Sequence, residues 1–283
     1  MFQIYGYENR RSEAMLDFTT KEIESSLKAL MKEVSEEMAN TPDYVAIEVD
    51  RTIEEMKRNG RDTQNIYKYK RLIYTYASCA QKFLLVCNDK QRFKGCCYLA
   101  ARAGEICFIL YDKGHRDVGH YGYLLRSLQD RSNTWYYAHF AILANCRELA
   151  VRIALEDTLL GAVLMQDYER AKRYLPESIQ EIKNLSWEKQ VLCAIAYQDE
   201  KKMNRLFEKE IRELRRQTKL AGATYFDGSI LAFIKLAQKR NMTCDINVAE
   251  VPWHLLDDNP INEDEWQLPE DNGLEQLLKN EKK

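Results

Sequence analysis

An all-α protein is predicted by three features of this 283-residue sequence. The strong helix formers Leu, Ala, Glu and Lys abound, while Gly (11) and Pro (5) are scarce, so few positions interrupt a helix. Apolar residues recur every three or four positions in segment after segment, and no alternating run long enough to signal a sheet appears. Finally, the stretch from Thr158 to Gln217 repeats itself with a period of 32 residues. Leu160-Gly-Ala-Val-Leu-Met-Gln-Asp-Tyr-Glu-Arg-Ala-Lys-Arg-Tyr174 lies over Leu192-Cys-Ala-Ile-Ala-Tyr-Gln-Asp-Glu-Lys-Lys-Met-Asn-Arg-Leu206 without a gap. Ala162 falls on Ala194, Gln166 on Gln198 and Asp167 on Asp199. In each copy an apolar helix ends, Asp167 or Asp199 can cap the next one, and a charged amphipathic helix follows. A period near 34 built from paired helices predicts a tetratricopeptide-like, α-solenoid hairpin array. Two copies do not stand alone, so neighbouring helices are expected to cover the ends. The expected organisation is an N-terminal helical bundle over 1–131, a repeat-like half over 132–256 continuous with it, and an acidic segment over 257–283.

In order, Ser12 to Ala39 reads as a first long helix with a stripe of Ile23, Leu27, Leu30, Met31, Val34 and Met38, and Thr19 with Glu22 offers a capping box. Thr41-Pro42 opens a second helix that runs to about Asn59, before Gly60. A Tyr-rich third spans Asp62 to Val86. A fourth covers about Phe93 to Tyr111, where Gly95, Ala100, Ala101, Ala103 and Gly104 allow a neighbour to approach closely. A turn at Asp112–His115 and a helix over about Asp117–Asp130 come next, and then Ser132-Asn133 as a cap. From Thr134 to Ala150 one helix is expected, with Trp135, His139, Leu143, Cys146, Leu149 and Ile153 on a core-facing stripe. Beyond the paired units, Thr224 to Ala237 makes another helix ending at Asn241. The Asn247–Leu256 stretch is extended and turns at Pro252, Asp257 to Asn272 is irregular, and a short helix closes the chain at Leu274–Leu278.

Composition and charge exclude several classes. With 45 % hydrophobic and 30 % charged residues the chain is neither disordered nor fibrous. No apolar run reaches the roughly 18 residues of a membrane span, and Met1-Phe-Gln-Ile-Tyr-Gly-Tyr-Glu lacks the order of a signal peptide. The eight Cys are scattered through apolar helical stretches, with no CxxC spacing, which points to a reducing cytosol and against zinc or thioredoxin-like chemistry. The net charge of −2 conceals a segregation. Asp245 to Glu275 holds ten acidic residues and no Lys or Arg, whereas residues 1–244 carry a net charge of +6. Such a block usually folds back on the body or acts as a solvated tail; the other reading is a partner-docking role.

No chemistry is legible. His115 and His120 lie five apart, which is not the i, i+4 spacing of a helical metal site, and they read as surface residues of a turn. His139, on an apolar stripe, reads as a hydrogen-bonded core histidine. Cys96-Cys97 read as buried thiols, because Lys94 alone does not make an activating environment. Asp227-Gly228-Ser229 lacks the strand–elbow context of a nucleophile turn and reads as a helix cap. No Gly-rich phosphate loop occurs. Arg212, Arg215, Arg216 and Lys219, and the Tyr67-Lys68-Tyr69-Lys70-Arg71 run, read as solvated helix faces, not a nucleic-acid stripe. No catalytic residue, metal or cofactor is expected.

Trp135 followed by Ala138, then Leu143-Ala144 and Cys146-Arg147-Glu148, is similar to the W-x-x-A…L-A-x-x-x-R helix of a family of bacterial polymorphic-toxin immunity proteins, the forty-ninth class in the usual naming. Gly222-Ala-Thr-Tyr-Phe-Asp-Gly-Ser-Ile-Leu-Ala-Phe-Ile-Lys-Leu-Ala237 resembles its penultimate helix, and Val251-Pro-Trp-His-Leu-Leu256 its apolar-Pro…Leu-Leu ending. The Ala100–Tyr111 helix sits where that family places an Ala-rich one. The likeness spans about Tyr98 to Asp257. It implies an all-helical, non-catalytic cytoplasmic protein that binds and sterically neutralises a cognate secreted toxin domain; the alternative is a tetratricopeptide-like adaptor that grips a peptide. Such families diverge where they touch the toxin, so no contact residue carries over by motif. The residues themselves suggest one surface. Asp257, Asp258, Glu263, Asp264 and Glu265, flanked by Trp253 and Trp266, combine charge and aromatic area as interface anchors do. An acidic loop of this kind can occupy the basic cleft of a nuclease toxin. In the bland reading, the two Trp pin the segment onto the body.

Overall fold

The computed structural model describes residues 43–60, 66–85, 87–112, 134–176, 179–221, 228–246 and 251–268. Among them the chain is all-α, with eleven helices and no strand. In chain order these are α1 (Tyr44–Arg58), α2 (Ile66–Leu85), α3 (Lys90–Asp112), α4 (Thr134–Leu143), α5 (Arg147–Ala154), α6 (Leu159–Leu164), α7 (Tyr168–Arg173), α8 (Ile179–Lys183), α9 (Trp187–Tyr197), α10 (Glu200–Ala221) and α11 (Gly228–Gln238). Two 3₁₀ turns follow, Trp253–Leu255 and Glu263–Glu265. The helices expected over 12–39, 117–130 and 274–278 lie outside the described residues, as do His115, His120 and Asp227.

Helix α3 is the axis of the first half. Nearly every residue from Phe93 to Tyr111 is buried, as befits a helix that is apolar all round. It packs along α2 on one side and against α4 and α5 on the other. The small residues expected to permit close approach do so: a Cβ on Gly104 would stand 2.7 Å from the Tyr137 ring. The one carboxylate buried in this helix, Glu105, is held by Arg102 and by Arg152 Nε at 2.7 Å. That pairing satisfies the rule that a buried charge needs a partner.

The Trp helix is not continuous. The chain breaks at Ala144-Asn145, ending α4 and starting α5 at Arg147. Asn145 takes a left-handed conformation at φ 60°, its amide bonds the Ile142 carbonyl, and Cys146 N bonds the Ala141 carbonyl at 2.9 Å. This Schellman ending explains how an uninterrupted apolar stripe can still stop: a helix end needs only one residue tolerant of the left-handed region, and Asn is such a residue.

The same ending recurs at three more helices. Gln166 (φ 61°), Gln198 (φ 56°) and Asn241 (φ 57°) are all left-handed. The next amide in each case, of Asp167, Asp199 or Met242, bonds back to the carbonyl of Ala162, Ala194 or Ala237. Those three Ala and Ala141 are buried, because the turn folds the chain directly over them. In the two copies of the 32-residue repeat the following Asp then caps the next helix. Asp167 Oδ1 accepts from Arg170 N, and Asp199 Oδ1 from Lys202 N, each at 3.0 Å. The repeated sequence is thus a repeated helix–turn–helix joint, α6/α7 and α9/α10, in which α9 packs against both α6 and α7. Helix α11 does not extend this series. It turns back to lie against α4 and α9, where Phe233 stacks on Trp135 at 3.7 Å between ring centroids.

Gln tolerates the left-handed region less well than Gly, by about 1 kcal/mol. Gln166→Gly is therefore expected to raise unfolding stability by up to about that amount, read as a higher urea midpoint at unchanged slope. A lower midpoint would show that the Gln side chain contributes more than its backbone costs.

His139 is a core histidine, as expected. It is fully buried on α4, its Nδ1 lies 3.3 Å from the Trp135 carbonyl, and its ring leans on Phe140 at 4.0 Å. Burial pushes its pKa down to about 3. A base with a depressed folded pKa leaves the unfolded chain binding more protons. Stability is therefore full above the ordinary value of 6.5 and declines as pH falls toward 3. The expected slope is about 1.4 kcal/mol per pH unit for this one proton. His139→Gln should flatten the unfolding free energy between pH 6.5 and 4.5 relative to wild type; an unchanged slope would refute the assignment.

Candidate functional site

Residues 251–268 run as a strap across the face formed by α3, the α4–α5 turn and α11. Val251 is buried, and the indole Nε1 of Trp253 donates to the Ile246 carbonyl at 2.6 Å. Leu255 and Leu256 pack against the core beside Phe93 and Leu143, leaving no water-sized void between them. The chain then reaches the most polar point of the interface.

Two lysines wait there. Lys94 on α3 and Lys235 on α11 each expose 2 % of their surface. Lys94 Nζ donates to Asp257 Oδ1 at 2.9 Å and to the Asn259 carbonyl at 3.0 Å. Lys235 Nζ donates to the Asp257 carbonyl at 2.6 Å and pairs with Asp258 Oδ1 at 3.2 Å. From the α4–α5 turn, Asn145 Nδ2 donates to the carbonyls of Asp257 (3.0 Å) and Asn259 (2.8 Å). Asn259 N closes the turn on Asp257 Oδ1 at 3.0 Å. The left-handed backbone of Asn145 therefore ends a helix and its side chain holds the strap.

The electrostatics follow this geometry. Burial works to raise the Asp257 carboxyl, but the hydrogen bond and charge of Lys94 outweigh it, so the group titrates below the usual carboxylate range. Burial lowers Lys235, with Asp258 opposing. Further on, the Cys146 thiol donates to Glu263 Oε1 at 3.1 Å. Tyr98 also bonds Glu263, and burial followed by that carboxylate raises both the Tyr98 hydroxyl and the Cys146 thiol to about 12. Cys96 and Cys97 are buried, and burial raises both thiols. Trp266 then lies flat on Gly95, so close that any Cβ there would overlap the indole. Gly95 is small for the strap's sake.

The seven residues singled out by sequence are thus divided by the structure. Trp253, Asp257, Glu263 and Trp266 use their side chains to hold the strap to the body. Asp258, Asp264 and Glu265 face outward; Asp258 shows 84 % of its side chain, and Glu265 Oε1 accepts from the neighbouring Asn262 at 2.8 Å. Both Trp hold the segment against the body.

Sequence reading missed the body's half of the clamp. Lys94 stands as a single charge in the run Phe93-Lys-Gly-Cys-Cys-Tyr-Leu-Ala-Ala101, and Lys235 in Ile230-Leu-Ala-Phe-Ile-Lys-Leu-Ala237. A lysine so placed must find an anion, and the Lys- and Arg-free segment downstream was the obvious supply. Asn145 carried no comparable signal.

Among the described residues no cluster of His, Cys, Asp or Glu has the makeup of a metal site, and no helix is long and apolar enough to cross a membrane. The chain matches no protein-family model, no curated protein and no solved structure.

Proposed function

We propose that the chain is a cytoplasmic inhibitor of the immunity class, which binds a folded secreted toxin domain and blocks it sterically. The observation that carries this reading is the outward edge of the strap. Asp258, Asp264 and Glu265 are exposed on a segment whose inward residues tie it to three elements of the body. An anionic surface held in place loses little freedom on binding, which favours affinity, and it speeds encounter with a basic cleft. The resemblance of the Trp135 helix, the Gly222–Ala237 stretch and the Val251–Leu256 ending to immunity proteins supports the same reading. Catalysis has no part in it.

The test is co-expression with candidate toxin domains from neighbouring genes. The chain should relieve the toxicity of one of them and co-purify with it. The double variant Asp264→Lys, Glu265→Lys should slow association by about 10-fold or more at low salt, with a smaller difference at high salt. Unrelieved toxicity with no complex would sink the proposal. A peptide-gripping adaptor is the second reading, favoured by the body side chains that bond the strap through its main chain.

A further inference from the structure

The clamp reads main chain as well as charge. Of the body's six polar bonds to residues 257–259, four end on backbone carbonyls: Lys94 on Asn259, Lys235 on Asp257, and Asn145 on both. The other two are to carboxylates, Lys94 to Asp257 and Lys235 to Asp258. Donors aimed at carbonyls do not depend on side-chain identity; the two ammonium groups favour acidic side chains, and the bare backbone at Gly95 accepts a flat ring. We propose that this seat is a binding site for an acidic peptide segment, which the chain fills with its own residues 257–266. An acidic partner segment of the same pattern, two adjacent carboxylates with a tryptophan nine positions after the first, exchanges with it.

Three arguments support exchange over a purely architectural contact. All three donors come from helices or a helix turn of the body and none from the strap. Lys94 and Lys235 present both ammonium groups to one turn, and each pairs there with a carboxylate as well as a carbonyl, which favours an anionic occupant. The charge also complements: residues 1–244 carry a net +6, and the resident segment supplies only acidic groups. The inference does not rest on the inhibitor reading, which concerns the strap's outer edge, whereas this concerns the seat beneath it; Asp258 is common to both, exposed yet paired with Lys235.

The probe is a fluorescent synthetic peptide of residues 251–268, titrated into the full chain and followed by anisotropy. In wild type the resident strap competes at the millimolar effective concentration of a tethered ligand. The full-length variant Asp257→Asn, Asp258→Asn, which removes the resident's two carboxylates and leaves the seat's own side chains unchanged, should therefore bind the peptide at least about 10-fold tighter than wild type does. Binding should disappear when the peptide carries the same two Asn, or when Lys94→Met is added to the protein. No binding to the folded double variant, or binding indifferent to the peptide's two Asp, would overturn the proposal. Should that variant fail to fold, hydrogen exchange on wild type decides. Release of the 257–266 amides at a lower free energy than those of α3 and α11 supports a displaceable occupant, and release only with global unfolding refutes it.

Discussion

Asp257→Ala is expected to destabilise the protein by about 3 kcal/mol, because it leaves the buried Lys94 without its carboxylate. The neighbouring Asp258→Ala should cost less, about 1 kcal/mol, since that carboxylate is largely exposed and Lys235 keeps its bond to the Asp257 carbonyl. Two adjacent aspartates on one strap thus make an internal control: same charge change, opposite burial. Urea unfolding of both variants measures the contrast, and equal losses would refute the account of the clamp. Acid should mimic the first variant reversibly. The folded pKa of Asp257 lies below its ordinary value, so its contribution is complete above that value and is lost as pH falls through the folded pKa. Combining Lys94→Met with Asp257→Leu should recover part of the loss, as replacing both partners of a buried pair removes the orphaned charge.

Phe233→Ala should cost a comparable 3–5 kcal/mol, from a different source. Phe233 is fully buried on α11 and stacks on Trp135 of α4 at 3.7 Å with an interplanar angle of 11°. It also meets Trp187 of α9 edge-on at 5.3 Å, with Phe207 of α10 at 6.5 Å. Trp135 Nε1 donates to Ser229 Oγ at 3.0 Å, so the same helix pair carries a polar bond as well. Removing one ring opens a cavity where three helices converge, and their separate backbones cannot all collapse into it. Leu236→Ala, at the other end of α11, should cost less, about 2–3 kcal/mol, because it leaves the stack intact. Phe233→Leu, which keeps apolar volume, should recover much of the loss. Equal costs at Phe233 and Leu236 would mean that the stack adds nothing beyond buried area.

Much of this molecule was legible beforehand. The 32-residue repeat foretold two equivalent joints because a cap and a left-handed ending are local events, decided by a few consecutive residues: Gln166-Asp167 and Gln198-Asp199 behave alike. Small residues on α3 marked where neighbours come close, and Tyr137 and Trp266 fill those places. The break at Asn145 escaped notice because the apolar stripe continues across it; periodicity records which side faces the core, not whether the axis bends. The open array suggested by the repeat likewise says nothing of α11, whose return onto α4 depends on the contact between Trp135 and Phe233, 98 positions apart in the chain.

Composition and spacing alone determined the helical class, the turn chemistry at Asp167 and Asp199, the burial of His139, Cys96 and Cys97, and the segregation of acidic charge into one segment. Tertiary structure decided which of those acidic groups point inward. Asp257 meets Lys94 across 163 positions, and a pairing of that range leaves no local pattern for either residue to display. What each sequence position can announce is its own preference. Which distant group will satisfy it is settled only when the helices have packed.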